Sequence, residues 1–218
     1  KADKFCEGYK AFLNSAKTER ESVEYAVAAA EKHGFVPFDP KHKYAAGDKV
    51  YYNNRGKAIC LAIMGKEGCK NGVRIAAAHI DNPRLDLKPI PLYESSEMAY
   101  LKTHYYGGIK KYQWTAIPLA LHGVFVKKNG ETVKVKIGED ESDPCFVISD
   151  LLPHLAQEQS KRTLSDGIRG EELNILIGSC PFKDDSESEL VKLNILNILY
   201  EKYGVTEEDF LSPEHIKA

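Results

Sequence analysis

The run Val73-Arg74-Ile75-Ala76-Ala77-Ala78-His79 constrains the fold of this chain more than any other stretch. It is short, and its second half is continuously small and apolar, the pattern of a strand buried on both faces. Such a strand needs a covering layer on each side, and the segments before it supply candidates. Phe5, Tyr9, Phe12 and Leu13 fall at i, i+4, i+7 and i+8, one apolar helical stripe. Thr18 with Glu21 predicts a capping box for a second helix. Its stripe runs through Val23, Ala26, Val27 and Ala30, and it stops at Gly34 after His33. Lys49–Tyr52 and Lys57–Met64 read as two strands around the turn Asn53-Asn54-Arg55-Gly56. A helix pair, a hairpin and a doubly buried strand predict an α/β layer.

The texture changes near Pro89 and Pro91, which bracket Ile90 and read as a crossover between domains. Beyond them Ala116–Lys127, Glu131–Ile137, Cys145–Ile148 and Leu173–Ser179 are short strand-like runs, with Asn129-Gly130 as a hairpin turn. Pro153–Ser160 and Glu187–Tyr203 read as helices, the second well buried and stopped by Gly204. Residues 91–213 are therefore expected to form a β-rich second domain.

Composition excludes several classes. Thirty basic against thirty-two acidic residues, with no basic run carrying interleaved aromatics, argue against a nucleic-acid-coating protein. No apolar run approaches the ~18 residues of a membrane span. Lys1–Lys10 lacks the apolar core of a signal peptide. Five scattered cysteines without a CxxC pair fit neither a disulfide framework nor a cysteine zinc site, so a reducing cytoplasm is the expected location. The chain starts at Lys1 without a methionine and is expected to be a trimmed piece.

The densest chemical signal is Ala78-His79-Ile80-Asp81-Asn82-Pro83-Arg84. On a strand, His79 and Asp81 project to one side. A neutral imidazole at a strand end is a good zinc ligand, and a neighbouring carboxylate can orient it. From spacing alone, a strand end capped by a hydrogen-bonded histidine beside a solvated aspartate is the favoured reading. His33 reads as a helix-end cation, His42 and His215 as solvated, His104 and His122 as packing residues. Tyr105, Tyr106, Tyr112 and Trp114 form either core or an interface anchor. Gly107-Gly108 lacks the pattern of a nucleotide loop. The acidic runs around Glu139–Asp143 and Asp184–Glu189 read as solvated turns.

The stretch Ala76–Pro89, with the His79-Ile80-Asp81-Asn82-Pro83-Arg84 run at its centre, resembles the first metal motif of the M18 aminopeptidases. Lys102–Trp114, Leu152-Pro153-His154-Leu155 and Ile177-Gly178-Ser179 resemble the bacterial branch of that family. The likeness runs from about Phe5 to about Leu211, with Asn82 where the family usually has serine. It implies an α/β fold: the N-terminal part of a split zinc-exopeptidase catalytic domain (residues 1–90), an inserted β-rich oligomerisation domain (91–213), and a return toward the catalytic domain (214–218). It implies a zinc-dependent aminopeptidase with two zinc ions per full-length subunit, acting on peptides with an acidic or neutral first residue. The assembly implied is a homo-oligomer, with a dodecamer among the forms allowed.

Carried over by position, His79 matches the first zinc ligand and Asp81 the carboxylate that supports it. His154 matches a histidine that acts either as a zinc ligand or as a donor to substrate, reaching a neighbouring subunit's cavity. The donor role suits a histidine arriving across an interface better. The family's remaining ligands have no match here. Glu171-Glu172 and Glu207-Glu208 stand in the wrong context, and no Asp-Asp or Glu-Glu metal motif follows Leu211. This chain alone is therefore expected to be inactive. The rival expectation is a non-catalytic oligomerisation module; a peptide-binding adaptor has no support in the residues.

Overall fold

A computed structural model of the chain describes residues 1–183, 188–210 and 216–217. It parts into two compact units, Lys1–Asn82 and Pro83–Ala218.

In the first unit, helix α1 spans Ala2–Ser15 and α2 spans Glu19–Lys32. The capping box forms: Glu21 N donates to Thr18 Oγ1 at 3.3 Å, and Thr18 N donates to Glu21 Oε2 at 3.0 Å. Gly34 ends the helix at φ 80°, a conformation that costs a residue with a Cβ. Strands β1 (Val36–Pro37), β2 (Lys49–Asn54) and β3 (Ala58–Ile63) form one sheet in that order. The β2–β3 turn places Arg55 and Gly56 at φ 59° and 67°. Two successive positive φ values give the turn whose twist suits a hairpin. Ala16, Val23, Ala30, Val50 and Tyr51 are buried. The α1 stripe faces solvent, with Phe5 and Tyr9 exposed. Phe12 meets α2 through an aromatic edge contact with Tyr25 at 5.1 Å.

The strand expected at Val73–His79 does not form, and these residues lie exposed, Val73 at 63% and Ile75 at 82%. A strand apolar on both faces depends on partners along its edges and on layers above and below. The sheet of this unit has the order β1-β2-β3, and among the described residues no strand pairs with 73–79.

The second unit is built on a long hairpin, β4 (Arg84–Ser95) and β5 (Met98–Tyr106). The expected crossover at Pro89 and Pro91 lies inside β4. Pairing passes from Leu87↔Thr103 to Leu92↔Leu101, so Lys88–Pro91 bulge opposite Lys102. The bulge accommodates two residues that cannot donate to the ladder, with Ile90 at φ 52°. Strand β8 (Ile175–Gly178) joins the other edge of β5. A second sheet pairs β6 (Leu121–Val126) with β7 (Thr132–Ile137), and β9 (Ile216–Lys217) with β6. The 216–217 pair thus returns to the second unit. Asn129-Gly130 forms the hairpin turn, Gly130 at φ 85°. Helix α3 (Leu190–Tyr203) packs on β4, β5 and β8. It ends at Gly204 with φ 61°. Its expected start at Glu187 lies outside the described residues. Short helix α4 spans Glu207–Phe210.

One apolar cluster joins both sheets and α3 through Leu101, Phe125, Ile148, Leu173, Val191 and Val205. Each such side chain contributes about 1.5–3 kcal/mol by burial. The helix expected at Pro153–Ser160 is replaced by a turn and a 3-10 segment at Gln159–Lys161. Leu151, Leu152 and Leu155 point to solvent, so there is no buried stripe to hold a helix there.

Candidate active site

His79 sits at the end of the exposed 73–78 ribbon rather than at the end of a buried strand, its side chain 84% exposed. The structure brings Asp81 beside it. Nδ1 lies 3.1 Å from the Asp81 carbonyl oxygen and 3.2 Å from Asp81 Oδ1. Both neighbours are acceptors, so Nδ1 carries the proton and donates. Nε2 lies across the ring from these two contacts and is the nitrogen left to bind a metal when the imidazole is neutral. This is the tautomer a nitrogen ligand requires, set by one carboxylate and one carbonyl two residues away.

The residues immediately after this pair are firmly held. Pro83, the first residue of the second unit, packs against Gly107, where a Cβ would stand 3.5 Å from Pro83 Cα. Gly107 also has φ 83°. Arg84 Nε donates to Asp86 Oδ1 at 2.7 Å, and the guanidinium lies 4.2 Å from the centre of the Tyr106 ring. The β4–β5 register sets Arg84 opposite Tyr106 and Asp86 opposite His104. Arg84, Asp86, His104 and Tyr106 therefore share one sheet face. His104 stacks on Tyr105 at 5.6 Å.

His154 belongs to the second unit, in the turn 153–155, exposed and without a hydrogen-bond partner among the described residues. Its neighbours Leu151, Leu152 and Leu155 are exposed at 53%, 59% and 64%. Sequence reasoning missed what closes this loop. Asp150 Oδ1 accepts from Leu151 N at 2.8 Å and from Gln159 Nε2 at 3.0 Å. The only signal available was an aspartate just before Leu-Leu-Pro, a residue type that bonds nearby backbone amides.

The other ionisable candidates hold structure. Lys88 Nζ donates to Glu171 Oε2 at 2.6 Å, and this bond holds the Glu171 carboxyl below its ordinary range. Burial opposes the Glu172 carboxylate, but the Arg169 amide and the Arg162 guanidinium outweigh it, so it too titrates low. Glu208 pairs with Lys128 at 2.6 Å and Glu207 with Lys192 at 3.4 Å. His122 Nε2 lies 3.0 Å from Glu139. His33 caps α2 through Nδ1, 2.7 Å from the Ala29 carbonyl. Trp114 packs on the core, while Tyr105, Tyr106 and Tyr112 are partly exposed. Asp184, Asp185, Glu187 and His215 lie outside the described residues.

Among the described residues no group of three or more His, Cys, Asp or Glu side chains could hold a metal ion. His79 and Asp81 offer two donors at most, whereas a zinc centre takes three or four protein ligands. The described residues do not make a complete zinc site. No described helix is long and apolar enough to cross a membrane.

The chain is mixed α/β with small sheets, and its histidine–aspartate pair at 79 and 81 offers too few donors to define an enzyme class. The family model "Aminopeptidase I zinc metalloprotease (M18)" matches residues 12–217, and the chain belongs to that family. A Clostridium acetobutylicum protein named "Probable M18 family aminopeptidase 1" is 53% identical over 210 residues, covering 94% of this chain and 45% of its own length. The crystal structure of an M18-family aminopeptidase from Thermotoga maritima matches with a TM-score of 0.89 at 44% identity, over 96% of this chain and 46% of that one. Aminopeptidase I of Borrelia burgdorferi B31 matches with a TM-score of 0.82 at 43% identity, over 96% of this chain and 47% of that one. The chain thus spans a little under half the length of these relatives.

Proposed function

We propose that this chain is the N-terminal part of a zinc aminopeptidase that hydrolyses the first peptide bond of peptides with an acidic or neutral first residue. The observation that carries the reading is the 53% identity over 94% of the chain to an M18 aminopeptidase, together with a His79 whose Nδ1 faces Asp81 and leaves Nε2 for a metal. The unit Lys1–Asn82 is read as part of the split catalytic domain, and the unit from Pro83, whose β6 also pairs with β9, as the inserted oligomerisation domain. His79 contributes one ligand to a two-zinc centre and Asp81 fixes its tautomer; the other ligands lie in the half of the protein beyond this chain. The exposed ribbon 73–78 is then covered by that half, which supplies the edges and layers its apolar side chains lack here.

His154 is read as a donor to the oxyanion that develops as the scissile carbonyl is attacked, delivered to the site of a second copy in a homo-oligomer. Its exposure, amid three exposed leucines, supports a role at an interface. A cytoplasmic location accords with the five free cysteines.

The test is release of the N-terminal residue from a short peptide by the full-length protein and by the 218-residue chain, with zinc measured on both. The full-length protein is expected to bind zinc and to release the first residue, and the 218-residue chain to do neither. Tight stoichiometric zinc on the short chain would contradict the ligand assignment. An inactive full-length protein that still assembles would favour the oligomerisation module instead.

A further inference from the structure

We infer that Asp150 and Gln159 are positioning residues for the turn that carries His154, an inference that rests on the donor role proposed for that histidine. The chain leaves the core at Ile148, 1% exposed, and its next buried side chain is Ala156, 8% exposed. Between these points no side chain is buried. Packing therefore cannot decide where the turn points.

Hydrogen bonds do. Leu152 O accepts from Leu155 N at 2.8 Å and from Ala156 N at 3.0 Å, making a single compact turn. Ala156 O accepts from Ser160 N and Ser160 Oγ, each at 2.8 Å. These bonds shape the two halves without joining the ends of the loop. The Asp150–Gln159 bond joins them, across nine positions, on the same carboxylate oxygen that receives Leu151 N. A charged acceptor makes such bonds roughly twice as strong as a neutral pair.

His154 has no partner of its own among the described residues, so the turn's backbone sets where its Cβ stands and which space the imidazole can reach. Behind the clip lies a cavity of about 400 Å³ lined by Asp150, Gln159, Arg162 and Glu172. Once the clip opens, the loop has room to relax inward. A displacement of about 1 Å at a group that contacts the reacting atoms can cost ~10²-fold in rate.

The experiment is steady-state kinetics on the full-length protein carrying Asp150→Ala, Gln159→Ala, both together, Asp150→Asn, and each alanine change in a His154→Ala background. Asp150→Ala and Gln159→Ala are each expected to lower kcat by about 10- to 100-fold, with KM, zinc content and assembly size unchanged. The double variant should lose no more than either single one, because the two residues act as one clip. Asp150→Asn should recover most of kcat, since its amide oxygen still accepts both bonds. In the His154→Ala background the clip variants should cost nothing further. Wild-type kcat in both clip variants beside an impaired His154→Ala would overturn the inference, as would an equal loss with and without His154. Full kcat in His154→Ala would instead overturn the donor role, whatever the clip variants do. Should Asp150→Ala fail to fold, the partly exposed Gln159→Ala carries the same comparison.

Discussion

Thr103 ties β5 to the start of β8 from inside the core of the second unit. Its side chain is 2% exposed, and its hydroxyl donates to the carbonyl of Leu173, itself fully buried and 70 positions away. Thr103→Val keeps the volume and removes the donor. The Leu173 carbonyl loses that partner, at a cost of about 1–3 kcal/mol, from which the relief of no longer burying a hydroxyl subtracts. A net loss of about 1–2 kcal/mol follows. Thr103→Ser keeps the bond and deletes one methyl, costing about 1 kcal/mol. Trp114 is the single tryptophan and packs on this same core, so its fluorescence reports unfolding of this unit. With a urea dependence of about 1–3 kcal/mol per molar, the midpoint of Thr103→Val should fall by roughly 0.3–2 M, with Thr103→Ser falling less. A Thr103→Val midpoint equal to wild type, or a serine variant as unstable as the valine one, would refute the reasoning.

Asp143 accepts from Gly138 N at 2.9 Å and from Lys202 Nζ at 3.0 Å, and these bonds, the Gly138 amide foremost, hold its carboxyl below the usual range. A lowered carboxyl contributes stability above about pH 4 and loses it as pH falls through the folded value; Asp143→Asn should flatten the acid side of a stability profile measured by urea midpoint from about pH 5 downward. Gly138 has φ 102°, and a Cβ there would lie 3.0 Å from both Ala120 Cα and Leu119 O. Gly138→Ala should therefore cost about 2–4 kcal/mol in the same assay.

Features written in local sequence were legible. The Thr18–Glu21 capping box, the Gly34 and Gly204 stops and the Asn129-Gly130 turn each need only a few adjacent residues, and all appear where expected. The β4–β5 hairpin, the largest in the chain, was not legible, for two reasons. Pro89 and Pro91 read as breakers because only pairing with Lys102 reveals a bulge that admits them. The turn between the strands puts Ser96 and Glu97 at φ 52° and 60°, without the glycine or asparagine that usually announces it. The 73–78 run carries the pattern of a buried strand, but burial depends on partners that local sequence does not contain. At the site, adjacency made the His79–Asp81 pairing readable. The Asp150–Gln159 clip has no period and no motif, and only folded coordinates bring its ends together.

In the proposed enzyme, His79 with Asp81 of one copy and His154 of another serve one reaction. Mixing two impaired full-length variants, His154→Ala and Asp81→Ala, under conditions where subunits exchange decides this. Each alone should be strongly impaired, His154→Ala by about 10²–10³ in kcat. In mixed assemblies some interfaces join an intact His154 to an intact Asp81, and activity should rise above that of either parent. Activity that stays at the parental level in assemblies shown to contain both variants would contradict the account.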